Sequence, residues 1–139
     1  MKILFGGIKF LSISLKSCKI TEAQFENLLE RFFVNEKIRE KILMYYKKEI
    51  PYAVEVETEE FFEDEKIIRI RSVIMVERET QKGILIGHKG KALKRVGVEA
   101  RKDLEQFFEK KIYVELYVKV NKNWRSNPRE LKRFGYDPS

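Results

Sequence analysis

The chain of 139 residues is 43% hydrophobic and 12% aromatic, which is enough for one folded domain with an ordinary core. Its net charge of +7 arises after residue 82, where 14 basic side chains face 7 acidic ones, and such one-sided charge is typical of polyanion binders as well as of some solvated helices. One cysteine, Cys18, excludes an internal disulfide and a multi-cysteine metal site, so we expect no metal and favour a reducing, cytoplasmic environment.

The first 20 residues open with a short basic start and an apolar run. Lys9 and Lys16 interrupt that run, and no small-residue cleavage site follows, which argues against a secretory signal. Nowhere does the chain contain the about twenty apolar residues of a transmembrane helix. We expect residues 1–20 to form a poorly ordered leader or an extra strand.

Two helices are predicted next. The stretch ITEAQFENLLERFF groups its apolar residues on one side, which predicts a helical linker within residues 21–35. Asn35 is expected to cap a second helix over residues 36–49, with Ile38, Ile42 and Tyr45 on one face and Pro51 just beyond its end. Both helices are interpreted as packing elements.

Period-2 alternation then predicts a β-hairpin. In YAVEVETEEF, Val54, Val56 and Thr58 alternate with glutamates, so one strand face is expected to be acidic and wet. In IIRIRSVIMVER, the apolar residues point one way and Arg69 and Arg71 the other. The charged turn FEDEK is short enough for antiparallel pairing, which would set the acidic and basic outer faces opposite each other.

The remaining elements are predicted as helix, helix, strand and tail. A short helix over residues 81–86 is followed from Lys89 by a basic amphipathic helix whose apolar residues recur every three or four positions. Residues 112–120, IYVELYVKV, alternate throughout and predict a strand. A basic tail, residues 122–139, is expected to hold a short helix that ends at Gly135.

Between the two helices, GHKG places Gly87 and Gly90 three residues apart. Two interpretations are open, a simple turn and a loop whose backbone comes close enough to a phosphate to hold it. In the second, the following helix presents free N–H groups and Lys89 adds a mobile charge. His88 is either a bystander or a residue that hydrogen-bonds or stacks.

The element order from residue 36 resembles a type II KH domain, an RNA- and single-strand-binding module whose Gly-x-x-Gly loop clamps backbone nucleotides. This resemblance implies an α+β fold of order α-β-β-α-α-β over residues 36–121, with a three-stranded sheet packed on helices. The segments EIPYAVEVE, VERETQKGILIGHKGKALKRVGVEARKDLE and LYVKVNKNWR are also similar to the C-terminal half of the Era family, bacterial GTPases of small-subunit ribosome assembly. That similarity implies binding to small-subunit (16S) ribosomal RNA near its 3′ end and to the 30S subunit, and we expect a monomer.

The expected RNA contacts fall into three groups. The loop supplies Gly87, His88, Lys89 and Gly90. The following helix supplies Lys91, Lys94 and Arg95, which would meet phosphates unless they are merely solvated. Ile84 and Ile86, with residues of the second strand, would form the floor of a groove for bases, and core packing explains them equally well.

One departure from the Era family bears on function. Era proteins carry an N-terminal G domain, whereas this chain contains no G-x-x-x-x-G-K-[ST] loop, and its NKNW at residues 121–124 lacks the aspartate of the guanine-reading NKxD element. With one histidine, it also lacks a convergent acid–base set, so we expect no enzyme and no cofactor. Peripheral membrane contact has no support in the sequence. A protein-interaction domain without RNA affinity is the alternative, and a truncated gene, a fragment and a stand-alone protein are equally open.

Overall fold

The computed structural model describes residues 21–47, residues 49–122 and Arg129. In this part of the chain the elements are α1 Glu22–Tyr45, α2 Ile50–Ala53, β1 Glu55–Glu63, β2 Ile67–Val76, α3 Glu79–Ile86, α4 Lys91–Phe108 and β3 Lys111–Val120. A 3-10 turn, His88–Gly90, lies between α3 and α4. The predicted α+β class is confirmed. The predicted leader, residues 1–20, and the predicted tail helix that ends at Gly135 lie outside the described residues.

Helix α1 is continuous where two helices were predicted. Its N-cap is Thr21, whose hydroxyl accepts a hydrogen bond from the Gln24 backbone N–H, while the Gln24 side chain accepts one from the Thr21 backbone. The prediction that Asn35 caps a helix is wrong, because the buried face of α1 continues through it from Val34 to Ile38.

The side chain of Asn35 has a tertiary partner instead. Its amide oxygen accepts a hydrogen bond of 2.6 Å from the Thr58 hydroxyl, which joins α1 to β1. An asparagine with such a partner does not need to bond to its own backbone, so it does not end the helix. Helix α2, which has Pro51 in its first turn, is a short element that the periodicity did not predict.

The three strands form one sheet of order β1-β2-β3. The predicted hairpin is confirmed, since β1 and β2 are antiparallel, and β3 pairs with β2 in parallel. A register shift between Thr58 and Glu60 sets Glu60 opposite Arg71, and the two side chains lie 3.8 Å apart. This pair realises the predicted pairing of acidic and basic outer faces.

The prediction of a wet acidic face on β1 is partly wrong. Glu59 is exposed, but Glu57 is half-buried and Glu55 is only 5% exposed. Arg39 of α1 reaches Glu55 and forms an ion pair with it. A buried carboxylate is tolerated where a guanidinium neutralises it, and period-2 alternation does not reveal such a partner from a distant helix.

The core lies between the sheet and the helices α1 and α4. Its members come from every element around it and include Val34, Ile38, Ile42, Ile68, Ile70, Ile74, Leu85, Val96, Ala100 and Leu104. At its edge, Lys41 of α1 lies 2.7 Å from Asp103 of α4, and this hydrogen bond raises the pKa of Lys41 and lowers that of Asp103. No helix in the described part of the chain is both long and apolar enough to cross a bilayer.

Candidate nucleic-acid interface

The loop between α3 and α4 depends on its two glycines. Gly87 has φ 75° and Gly90 has φ 74°, a region that favours glycine, and Lys89 between them also has a positive φ of 55°. A Cβ atom at Gly87 would lie 2.6 Å from the Cβ of Ala92, whereas at Gly90 it would meet nothing within 4 Å. Gly87 is therefore required by contact and by conformation, and Gly90 by conformation alone.

The loop leaves the start of α4 without a side-chain cap. The Gly87 N–H donates to the Gly83 carbonyl and closes α3, and Gly90, the N-cap of α4, offers no side chain to the amides that follow it. An 18-residue helix begins at this point, so its positive dipole end lies beside the loop, where the Lys91 N–H donates to the His88 carbonyl and no side chain caps the amides that follow. This is the arrangement in which a helix start binds an anion.

The basic side chains predicted from the sequence lie around this helix start. His88, Lys89, Lys91, Lys94 and Arg95 are all exposed. From residue 80 to residue 98 the chain contains no acidic residue, so no carboxylate of this stretch neutralises them. The salt bridges within α4 lie further along, between Arg101 and Glu105 and between Lys102 and Glu99.

Two tyrosines at the end of α1 support both helices that border the loop. The Tyr46 hydroxyl donates a hydrogen bond of 2.5 Å to the carbonyl of Leu85 in α3, and burial raises the pKa of Tyr46 to about 12. The guanidinium of Arg95 in α4 lies 3.9 Å from the ring centroid of Tyr45. Arg95 is thus held against an aromatic ring rather than merely solvated.

A groove of about 360 Å³ runs from Gly90 between α4 and β3. Lys94, Gly97 and Arg101 are among the residues that line it from α4, and Ile112, Tyr113 and Leu116 are among those that line it from β3. A Cβ atom at Gly97 would lie 3.5 Å from Cδ1 of Leu116, which is an ordinary contact. Glycine is therefore not demanded by packing at this helix position, and its effect is to widen the groove.

The floor of this groove is formed by a different strand from the one that the sequence analysis named for base contacts. The second strand was expected to provide it, but β2 lies in the centre of the sheet and the lining strand is β3. Ile84 is 54% exposed on α3, Ile86 packs against the core, and neither is among the groove-lining residues. Their contact with RNA stays a prediction.

Sequence reasoning did not select Gly97, Arg101, Tyr113 or Leu116 for the site. The signal that could have found them was the glycine inside an amphipathic helix, since this position costs about 1 kcal/mol relative to alanine. Within residues 21–47 and 49–122, no three His, Cys, Asp or Glu side chains come together as metal ligands.

Comparison with known proteins shows which family contains this fold and loop. Residues 49–125 match the family described as KH domain. The chain belongs to the KH domain family. The matched residues begin after α1. Val34, Ile38 and Ile42 of α1 nevertheless belong to the same hydrophobic core as the matched residues.

The KH domain is also similar to Era proteins, as its sequence predicted. It is 52% identical over 110 residues to the GTPase Era of Syntrophus aciditrophicus, covering 78% of this chain and 36% of that protein. With the GTPase Era of Geotalea uraniireducens it is 48% identical over 112 residues, or 80% and 38% of the two chains. The chain therefore spans little more than a third of the length of these relatives.

Two solved structures resemble the KH domain. One is a variant of Aquifex aeolicus Era bound to GDP and AlF4⁻, and the other is Era in complex with MgGDPNP and nucleotides 1506–1542 of 16S ribosomal RNA. Each superposes with a TM-score of 0.73 at 36% identity and covers 77% of this chain and 36% of the other. The similarity to Era in sequence thus extends to the fold.

Proposed function

We propose that this KH domain binds single-stranded RNA through the loop at residues 87–90, the first turn of α4 and the groove between α4 and β3. The observation that carries the proposal is that these three features meet at Gly90. This residue is the second glycine of the loop, the N-cap of α4 and one end of the groove. KH domains use a Gly-x-x-Gly loop to clamp backbone nucleotides.

Each feature has a separate part in this proposed binding. The uncapped amides of α4 and the side chains of Lys89 and Lys91 would hold a phosphate beside the loop. Lys94 and Arg101, which line the groove, would follow the backbone further along α4. The apolar side chains of Ile112 and Leu116 would contact the bases, which lose their hydration when they enter the groove.

Small-subunit ribosomal RNA near its 3′ end is the partner that we propose. The support is the similarity in sequence and fold to Era, one structure of which holds nucleotides 1506–1542 of 16S ribosomal RNA. On this proposal the chain acts as a monomer on the 30S subunit during its assembly, in the cytoplasm. It needs no nucleotide and no catalytic group, because its match is to the KH domain rather than to a G domain.

Titration of the purified chain with a labelled single-stranded RNA of that sequence tests the proposal, with a scrambled RNA of equal length as the control. We expect tighter binding of the matching RNA and an affinity that falls as salt rises, with a slope of about −0.7 per phosphate contacted. The absence of saturable RNA binding at low salt would refute the proposal and favour the alternative of a protein-interaction domain.

A further inference from the structure

Three exposed side chains form a row across the outer face of the sheet, the face opposite α1 and α4. Phe62 of β1 is the register partner of Arg69 of β2, and Arg69 is the register partner of Tyr113 of β3. Phe62 is 69% exposed and Tyr113 is 57% exposed, and Arg69 between them is exposed as well. Neighbouring strands lie about 4.8 Å apart, so the row is about 10 Å wide.

The neighbouring positions of the same face, around Arg71, are neutralised by their own contacts, and the register partner of Arg71 on β3 is the exposed Glu115. There Arg71 lies 3.8 Å from Glu60, and its guanidinium lies 5.1 Å from the ring centroid of Tyr117. The Tyr117 hydroxyl in turn donates a hydrogen bond to Glu59. In the part of the chain that the structure describes, no ion pair or ring contact of this kind involves Phe62, Arg69 or Tyr113. The aromatic and basic groups of the row Phe62–Arg69–Tyr113 therefore differ from Arg71 and Tyr117, which are already occupied within the protein.

The exposed row consists of the groups on which unpaired bases stack. Aromatic rings and guanidinium planes both accept a base face, and replacing one stacking side chain by alanine typically lowers affinity about tenfold. Lys111, exposed on β3 next to Tyr113, adds positive charge. Two carboxylates lie close by in sequence: Glu63, which is 2.8 Å from Lys110 and paired with it, and the exposed Glu115, which is the register partner of Arg71.

Tyr113 connects this row to the groove. It lines the groove on the β3 side, while its register partner Arg69 lies on the outer face. Gly90 at the loop and Arg101 on α4 both line the groove, and the helix rises about 15 Å from Lys91 to Arg101. A single-stranded RNA that is held at the loop and follows the groove would thus reach the edge of the sheet beside Tyr113.

We propose that Phe62, Arg69 and Tyr113 form a stacking platform for additional nucleotides of the same single-stranded RNA, beyond those held by the loop and groove. The proposal rests on the function proposed above and extends its footprint around the β3 edge. On this proposal the outer face distinguishes RNAs by length. Short RNA would occupy the groove alone, and only longer RNA would also reach the platform.

The test is a series of labelled RNAs of about four to about twelve nucleotides, taken from the same ribosomal sequence and titrated against the full chain. For the unaltered protein we expect affinity to rise with length beyond the nucleotides that the groove holds. Phe62→Ala should lower affinity for the longest RNA about tenfold and leave affinity for the shortest within about twofold of the unaltered protein. Tyr113→Ala should lower affinity for the longest RNA at least as much, because Tyr113 also lines the groove.

Phe32→Ala is the matched control, because Phe32 is 60% exposed on α1 and lies outside both the groove and the platform. It should bind every RNA as the unaltered protein does, and circular dichroism should show that all variants are folded. Arg69→Lys, which keeps the charge and loses the planar group, should lower affinity for long RNA while leaving the salt dependence unchanged.

The outcomes separate the platform from the site on which it depends. If Phe62→Ala, which lies outside the groove, binds the longest RNA as tightly as the unaltered protein, the platform is refuted while the groove stands. A loss by Phe62→Ala that is equal at all lengths also refutes it, because the residue would then act on the fold or the groove. If the unaltered chain binds no RNA of any length, the proposed function fails rather than the platform alone.

Discussion

Helix α4 has an N-terminal half beside the loop and groove and a C-terminal half that packs against α1. In the first half Lys91, Lys94 and Arg95 are exposed, and no acidic residue occurs before Glu99. In the second half Asp103 is paired with Lys41, and Phe107 stacks on Phe33 with ring centroids 3.9 Å apart. One continuous helix thus carries unneutralised charge at one end and satisfied packing at the other.

This difference indicates that the residues proposed to bind RNA and the residues that stabilise the fold lie mainly at opposite ends of the same helix. Four of the fourteen basic residues that follow residue 82 lie before Glu99, where no carboxylate of the same stretch neutralises them, which suits a ligand that brings negative charge. The paired charges of the second half act within the protein. A substitution near either end of α4 should therefore change mainly one property, whereas a substitution at Gly97, in the middle of the helix, should change both, and the predictions below test this separation.

The largest effect is expected for Leu104→Ala in the C-terminal half. Leu104 is fully buried in the core, and its truncation should lower the free energy of unfolding by about 2–5 kcal/mol through lost burial and a cavity. Urea denaturation measures this loss. RNA affinity of the variant, measured where it is still folded, should match the unaltered protein, and a weakened affinity in the folded state would show that the two halves are not separate.

The second effect concerns the loop before the N-terminal half. Replacing His88 and Lys89 by aspartate would put two negative charges where the RNA backbone must pass, and we expect at least about a tenfold loss of affinity, or about 1.4 kcal/mol. The salt dependence should become shallower, since fewer phosphate contacts remain. Stability should stay within about 0.5 kcal/mol, because the site is exposed, the helix start favours aspartate and position 89 has a positive φ that aspartate tolerates.

A matched variant with His88→Asn and Lys89→Asn keeps the size of the aspartates without their charge. Its affinity should fall between those of the unaltered protein and the aspartate variant. Unchanged affinity and salt slope in a folded aspartate variant would mean that GHKG is only a turn and that RNA binds elsewhere.

Gly97→Ala should move the two properties in opposite directions. Alanine removes the cost of glycine in a helix interior, so the free energy of unfolding should rise by up to about 1 kcal/mol, and the contact of 3.5 Å with Leu116 accommodates the new methyl group. The same methyl group narrows the groove, so RNA affinity should fall. Denaturation and titration of this variant measure both changes, and greater stability with unchanged affinity would exclude Gly97 from the binding surface.

The smallest effect concerns the Lys41–Asp103 pair, which is worth a fraction of a kcal/mol because Asp103 is partly exposed. The folded pKa of Asp103 is lowered, so its contribution is present above its unfolded pKa of about 3.9 and is lost as pH falls through the folded value. The folded pKa of Lys41 is raised, so its contribution is lost only above about pH 10.4, its unfolded value.

Asp103→Asn removes this dependence. We expect the stability difference between the unaltered protein and the variant to be constant from neutral pH to about pH 5 and to shrink below about pH 4. Urea denaturation at each pH measures it. A difference that does not shrink in acid would show that the carboxylate acts by packing, and RNA affinity at neutral pH should be the same in both proteins.

Periodicity predicted the strands and the amphipathic α4 because each element contacts the core with every second residue or with one helical face. It failed where a partner from a distant element decides the outcome. Asn35 stays within α1 because Thr58 binds its side chain, and Glu55 is buried because Arg39 reaches it. The groove between α4 and β3 was not predicted for the same reason, since alternation in β3 does not say which strand or helix becomes its neighbour.

The loop was predictable from the sequence because its requirement is local. Two glycines at this spacing allow positive φ, and a helix start follows directly. The need for Gly87 has a second cause that no spacing rule contains, the close approach to Ala92. The expected RNA contacts themselves stay predictions, which the loop and groove variants test.

The parallel pairing of β2 with β3 bears on the order in which the domain assembles. The hairpin of β1 and β2 closes across a short turn, whereas β3 reaches β2 only after the intervening chain of α3 and α4 has been looped back. Contacts between residues far apart in sequence form slowly, because loop-closure entropy is lost before they stabilise the chain. We therefore expect the Gly-x-x-Gly turn to form early and the groove, which needs β3, to form in the last step of folding, so that a newly made chain acquires its RNA site only on completing its fold.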